Sequence, residues 1–396
     1  MDVFELRNQV IEDYTQYVRS FITIRDERVN AVVERELSGG ALWPEPLLQL
    51  NPAFEPGESL EELVASGVLH PECQRIFRRK PRLEVDEGPL RLHRHQVESI
   101  HAARAGENYV LTTGTGSGKS LSYIVPIVDH VVRQGSGRGI QAIVAYPMNA
   151  LANSQAEELS KFLGRDNQPV RFARYTGQEK ADEKNVIRAD PPDVLLTNYM
   201  MLELMLTRSE DRELVRAAQG LKFLVFDELH TYRGRQGADV AMLIRRCRLA
   251  FGGHDIVCVG TSATMASGGT SLDQKREVAR VAQTLFGTPV DATQIIGETL
   301  ERATPEQDFN GTGSRSKLVE AVAAAAPPPA SYAEFCSHPL ASWIESTFGV
   351  QAESGTGRFI RQAPRQLEGD GSASAELSVL TGIDRRKCEQ VLRSFL

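Results

Sequence analysis

The chain has 396 residues, 41% hydrophobic and 24% charged, with a formal net charge of −7. That composition excludes a disordered polar chain, and the acidic balance excludes binding through a broad basic face, so any nucleic-acid contact has to be local. The five cysteines, Cys73, Cys247, Cys258, Cys336 and Cys388, form no Cys-x-x-Cys pair, which argues against a zinc site or a disulfide framework.

Residues 1–85 read as a helical N-terminal region. Phe4, Val10, Ile11, Tyr14, Val18 and Phe21 recur at spacings of three or four, and a Pro-rich connector follows from Trp43 to Pro56. The opening residues lack the pattern of a secretory signal, and no run approaches the roughly 20 apolar residues of a membrane span. A cytoplasmic protein without membrane contact is the expectation.

Residues 86–300 change character, to short apolar runs alternating with helical segments. The runs are Tyr109–Thr112, Ile140–Tyr146, Val170–Ala173, Val194–Thr197, Leu221–Phe226 and Ile256–Gly260. They are rich in Val, Ile and Leu without strict alternation, which predicts an α/β fold with a mainly parallel sheet covered by helices on both faces. After the first run comes TGTGSGKS, Thr113, Gly114, Thr115, Gly116, Ser117, Gly118, Lys119 and Ser120, followed by a helical segment from Leu121 to Val132. Strand, glycine loop and helix is the context of a phosphate loop: backbone amides and a helix N-terminus face phosphate oxygens, Lys119 reaches the β- and γ-phosphates, and Ser120 ligates Mg²⁺. The loop departs from the strict form, since Thr113 takes the place of its first glycine.

Pro147, Asn149 and Asn153 begin a helix at a strand end, where amides can meet an anion, although Asn149 can equally be a plain helix cap. In LKFLVFDELH an apolar strand delivers Asp227 and Glu228 to its C-terminal end. Asp227 is the candidate Mg²⁺ ligand, Glu228 the candidate general base, and His230 a reporter of the γ-phosphate. Small hydroxyl residues in GTSAT, including Ser262, Ala263 and Thr264, can bridge the nucleotide site to a neighbouring surface. Arg233 and Arg235 read as nucleic-acid contacts or as solvated loop charges.

Residues 301–396 read as a linker and an incomplete helical insert. GTGSRS at Gly311–Ser316, the alanine-proline run ending at Ala330 and the segment Glu353–Ala375 look like linkers, and two short helices at the end leave Leu380, Val391, Leu392 and Leu396 in want of a partner.

Taken in order, LHRHQ with Gln96, TGTGSGKS, YPMNALANSQ, YTGQ, TNYMMLE, DELH and SAT resemble the successive motifs of the first RecA-like domain of superfamily 2 DExH-box helicases, over about half of the chain. The wording of several segments is similar to large bacterial helicases with long C-terminal extensions, some belonging to phage-defence systems such as DISARM and Druantia and others to repair. The resemblance implies ATP and Mg²⁺ as cofactors and Gln96 as a nucleotide contact. It implies contacts with the sugar-phosphate backbone, of DNA in preference to RNA, at Pro147, Asn149, Thr176, Gly177, Thr197 and Asn198. It also implies a second RecA-like domain, in cis or from a partner. No second set of motifs follows Thr264, so this chain is expected to bind Mg·ATP weakly and to hydrolyse it very slowly alone. The rival readings are another phosphate-loop enzyme, for which no Asn-Lys-x-Asp segment is present, and an ATP-gated binding module without turnover.

Overall fold

The computed structural model describes residues 3–21, 23–39, 43, 46–78, 90–114, 116–163, 169–263, 270–353 and 357–396. Its contacts divide the chain into two compact units, one of Phe54–Thr299 and one of Met1–Ala53 with Leu300–Leu396.

The first unit is built on a seven-stranded sheet whose strands are β1 Tyr109–Thr112, β2 Ala142–Tyr146, β3 Phe172–Tyr175, β4 Val194–Asn198, β5 Phe223–Phe226, β6 Val257–Ser262 and β7 Ile295–Gly297. They lie in the order β7-β1-β6-β5-β2-β4-β3, and every pairing is parallel. Strands β2, β4, β5 and β6 are buried along their whole length, which is why they read as continuous apolar runs. Two apolar clusters, with Tyr123, Val125 and Val128 in one and Val240, Ile244 and Phe251 in the other, cover the sheet. The helices that matter for the site are α1 Arg94–Ala105, α2 Leu121–Gln134, α3 Asn149–Leu163, α4 Ala181–Ala189, α5 Tyr199–Thr207, α6 Gly234–Phe251 and α7 Ser271–Phe286.

Residues 54–78 pack with this unit, so its N-terminal edge lies upstream of residue 86. Leu60, Leu63, Leu69, Cys73, Ile76 and Phe77 are buried in the same cluster as the α2 side chains. Buried Asp129 on α2 accepts the His70 amide at 2.7 Å and pairs with Arg133 at 2.9 Å. The stretch looked like part of the helical preface because its apolar residues carry no mark of which core they join. Strand β7 was not anticipated: three residues are too few to show a pattern.

In the second unit, helix Val3–Ser20 buries no residue completely. Val10, Tyr14 and Phe21 are exposed, while Phe4 packs at the edge of a core made by Leu318, Trp343, Phe348, Leu377 and Leu392. The C-terminal helices Ala373–Thr381 and Arg385–Phe395 are present as expected; of their apolar residues Val391 and Leu392 are buried in that core and Leu380 packs against it, while Leu396 stays exposed. Their cover includes helix Thr312–Ala324, which takes in nearly all of the Gly311–Ser316 stretch read as a linker; glycine, threonine and serine there have low helical propensity and hid the start of the helix. Among the described residues no helix is long and apolar enough to cross a membrane.

Candidate nucleotide site and groove

The parallel register brings three strand ends to one edge. Thr112 of β1 lies opposite Ser262 of β6, and Gly260 of β6 lies opposite Phe226 of β5, so the loop after β1, the acidic pair after β5 and the hydroxyl residues ending β6 share the carboxyl edge of the sheet. That is where open α/β sheets bind ligands. Gly260 is required by this packing, because a Cβ there would collide with Leu229 of the DELH segment.

Two glycines of the phosphate loop, Gly116 and Gly118, adopt φ of 81° and 69°, the left-handed region that glycine enters without strain. Lys119 Nζ donates to the Thr113 carbonyl at 3.3 Å and lies 3.8 Å from Glu228 Oε1. Thr113 Oγ1 and Ser117 Oγ are 2.7 Å apart, closing the loop on itself. Gly114 donates its amide to Glu298 at 3.3 Å. Thr115 lies outside the described residues.

Gln96 is buried and turned onto the loop: its amide donates to the Gly118 carbonyl at 2.9 Å, and its oxygen accepts the His93 amide. Its neighbour His95 is also fully buried, with Nε2 at 3.0 Å from the Ser117 carbonyl. Since a carbonyl only accepts, Nε2 carries the proton. Ser120 donates its hydroxyl to Gln155 Oε1 at 2.7 Å.

Asp227 is buried, and burial raises its carboxyl pKa, against the lowering effect of a hydrogen bond from Thr261. The same Thr261 oxygen accepts the Glu228 amide at 3.1 Å. Glu228 has φ of 53°, a conformation costly for a non-glycine residue and typical of functional turns. Its Oε2 lies 3.2 Å from His230 Nδ1, which is also 3.2 Å from Ser262 Oγ. The structure thus brings together Lys119, Asp227, Glu228, His230 and Ser262, with Ala263 next in the chain, while Thr264 lies outside the described residues. Sequence reasoning missed Thr261, Gln155, His95 and Glu298. His95, Gln155 and Thr261 fall inside motifs that had been noticed; nothing in the sequence marks Glu298.

At the same sheet edge, beside β2, β3 and β4, lies a groove of about 540 Å³ whose lining includes Pro147, Asn149, Thr176, Gly177 and Asn198. Several polar groups here are already committed. Glu179, itself buried, accepts the amides of Thr176 and Gly177 at 2.8 and 2.9 Å and the Thr176 hydroxyl at 2.9 Å. Burial opposes its charge, yet these bonds and Arg174 outweigh it and lower its pKa. Thr197 is buried and donates to the Tyr175 carbonyl. Asn198 caps α5 through the Met201 amide and donates to Asn149 Oδ1 at 2.5 Å. Thr197 therefore offers no side chain to the groove, and Thr176 and Asn198 chiefly shape it. Arg233 and Arg235, exposed at the start of α6, are not among its lining. The groove's open surface is carried by Met148, Gln178, Met200 and Arg208, with Lys184 half-buried at its side.

A parallel sheet with a glycine loop between its first strand and α2, and an acidic pair two strands away in space, defines a phosphate-loop NTPase domain of RecA type. Residues 93–272 match the family model described as DEAD/DEAH box helicase, and this segment is a DEAD/DEAH box helicase domain, the first RecA-like domain of superfamily 2, a class of ATP-hydrolysing enzymes. The curated relatives include the uncharacterized ATP-dependent helicase YprA of Bacillus subtilis (strain 168), 33% identical over 44% of this chain and 23% of the relative. The Druantia protein DruE of Escherichia coli (strain UMEA 4076-1) is 24% identical over 78% of this chain and 23% of its own length. Among solved structures, the DUF1998 helicase MrfA bound to DNA and AMPPNP is similar with a TM-score of 0.49 and 21% identity, over 72% of this chain and 38% of that one. The matched region spans under a quarter of the length of these two curated relatives.

Proposed function

We propose that the chain is the ATP-binding part of a nucleic-acid motor that couples ATP hydrolysis to movement on a strand, DNA in preference to RNA. The observation that carries this reading is the meeting, at one sheet edge, of Lys119, Ser120, Asp227 and Glu228, with Glu228 in turn beside His230 and Ser262.

The residues fit a metal-bound nucleotide. Ser120 Oγ and Asp227 would hold Mg²⁺, and burial that disfavours a lone Asp227 charge is what a divalent cation offsets. Bound Mg²⁺ supplies charge neutralisation on the phosphates. Lys119 and the loop amides bind and orient the phosphates, with Gln96 and His95 bracing the loop from behind. Glu228 orients the attacking water and takes its proton, and its turn is fixed by Thr261. His230, between Glu228 and Ser262, links the base to the end of β6.

The groove is the proposed strand site. Lys184 and Arg208 meet phosphates there, Asn149 and Gly177 line it, and the exposed Met148 and Met200 meet sugars or bases. Full turnover requires a second RecA-like domain, in cis or from a partner, whose arginine would contribute roughly 10³–10⁵ in rate. The relation to a Druantia protein favours antiviral defence as the setting over repair.

The test is ATP turnover with and without single-stranded DNA, alone and with the second domain supplied, for the native chain and its Lys119→Ala and Glu228→Gln variants. Strand-stimulated turnover that both substitutions abolish supports the motor. Nucleotide binding without turnover under every condition replaces it with an ATP-gated binding module.

A further inference from the structure

Helix α3 touches both sites. Its first residue, Asn149, lines the groove and accepts from Asn198, while Asn153 donates to the groove residue Gln178 at 3.3 Å and accepts from Arg174 at 2.7 Å. Two residues further, Gln155 accepts the Ser120 hydroxyl at 2.7 Å. From Asn149 to Gln155 the helix rises only about 9 Å, at 1.5 Å per residue, so one rigid segment joins the phosphate loop to the groove wall.

The Ser120 hydroxyl has one hydrogen and two lone pairs. With the hydrogen committed to Gln155, the lone pairs are free to face a cation. A divalent cation on that oxygen withdraws electron density and makes the hydroxyl a stronger donor, so cation and nucleotide together favour the position of α3 in which Gln155 is docked. That differential is what a coupling mechanism requires.

We propose that Gln155 is the positioning residue through which the metal-nucleotide site and the groove are coupled. The inference rests on the functional reading above, and it adds a direction. Nucleotide tightens the strand, and by reciprocity the strand tightens nucleotide by the same factor.

The test is the affinity of the whole chain for a fluorescent single-stranded DNA oligonucleotide, read by anisotropy with and without saturating Mg·AMPPNP. In the native chain nucleotide tightens DNA binding about 5-fold or more, the lower end of ordinary coupling. Gln155→Met, and equally Gln155→Leu, removes the acceptor on a helix-compatible side chain and brings the ratio to about one. Gln155→Glu keeps an acceptor and keeps the ratio. Persistence of the native ratio in the Met and Leu variants, or its loss in Gln155→Glu as well, overturns the assignment of Gln155. A native chain that binds both ligands without coupling overturns this inference alone. One that binds nucleotide but no strand overturns the functional reading and this inference with it.

Discussion

His95 shows how much of the phosphate loop's support comes from outside the loop. Its imidazole is fully buried, Nε2 serves the Ser117 carbonyl, Nδ1 has no hydrogen-bond partner among the described residues, and burial pushes its pKa down from the ordinary 6.5 to about 4. Because the folded state resists protonation, the unfolded chain binds the extra proton between those values. The contribution of His95 is therefore intact above about pH 6.5 and lost as pH falls toward about 4, a difference on the order of 3 kcal/mol. Urea unfolding across that range should show a flatter pH dependence in His95→Gln than in the native chain; identical slopes would remove His95 from the account. At the reacting centre, Glu228→Gln should leave nucleotide affinity near the native value while lowering turnover by roughly 10²–10⁴, as measured by parallel binding and hydrolysis assays. That Lys119, Asp227 and Glu228 meet at one sheet edge was legible because each lies in a motif at a strand end. Thr261, Gln155 and Glu298 act through space, on residues 34, 35 and 184 positions away, and no local pattern announces such partners.

Among the elements, the turn after β3 carries a lesson about reading motifs. Thr176 and Gly177 were expected to meet a nucleic-acid backbone, yet Glu179 takes both their amides and the hydroxyl. The turn is built around an internal carboxylate. Removing it in Glu179→Ala strands three donors, two of them backbone amides, and should cost about 3 kcal/mol of stability by denaturant titration; an unchanged midpoint would mean the turn holds without it. In the proposed strand site the cationic contacts are Lys184 and Arg208. Each substituted by alanine should weaken single-stranded DNA binding and reduce the slope of log affinity against log salt by about one, whereas Thr197→Val should lower stability and leave that slope alone. The large sheet strands were legible because burial on both faces writes them as continuous Val, Ile and Leu runs. Their ends shifted by up to two residues, as with Val170–Ala173 against the observed Phe172–Tyr175, since apolar side chains extend past the hydrogen-bonded ladder.

For the whole molecule, an acidic chain with a charge of −7 is compatible with strand binding because the proposed contacts occupy a single groove. The sheet and the order of its motifs were readable from sequence. The allocation of segments to units was not: residues 54–78 join the helicase domain, and the residues on either side of it form one core with each other. Which apolar face meets which depends on tertiary packing that a local pattern does not encode. The central claim is that the edge formed by Lys119, Ser120, Asp227 and Glu228 is a nucleotide site, and it is tested most directly by titrating a fluorescent Mg·ATP analogue into the native chain and into Lys119→Ala. Saturable binding that the substitution weakens about 10-fold to 100-fold, the loss of a charged hydrogen bond, is the result expected; no binding to the native chain, or equal binding to both, would contradict it.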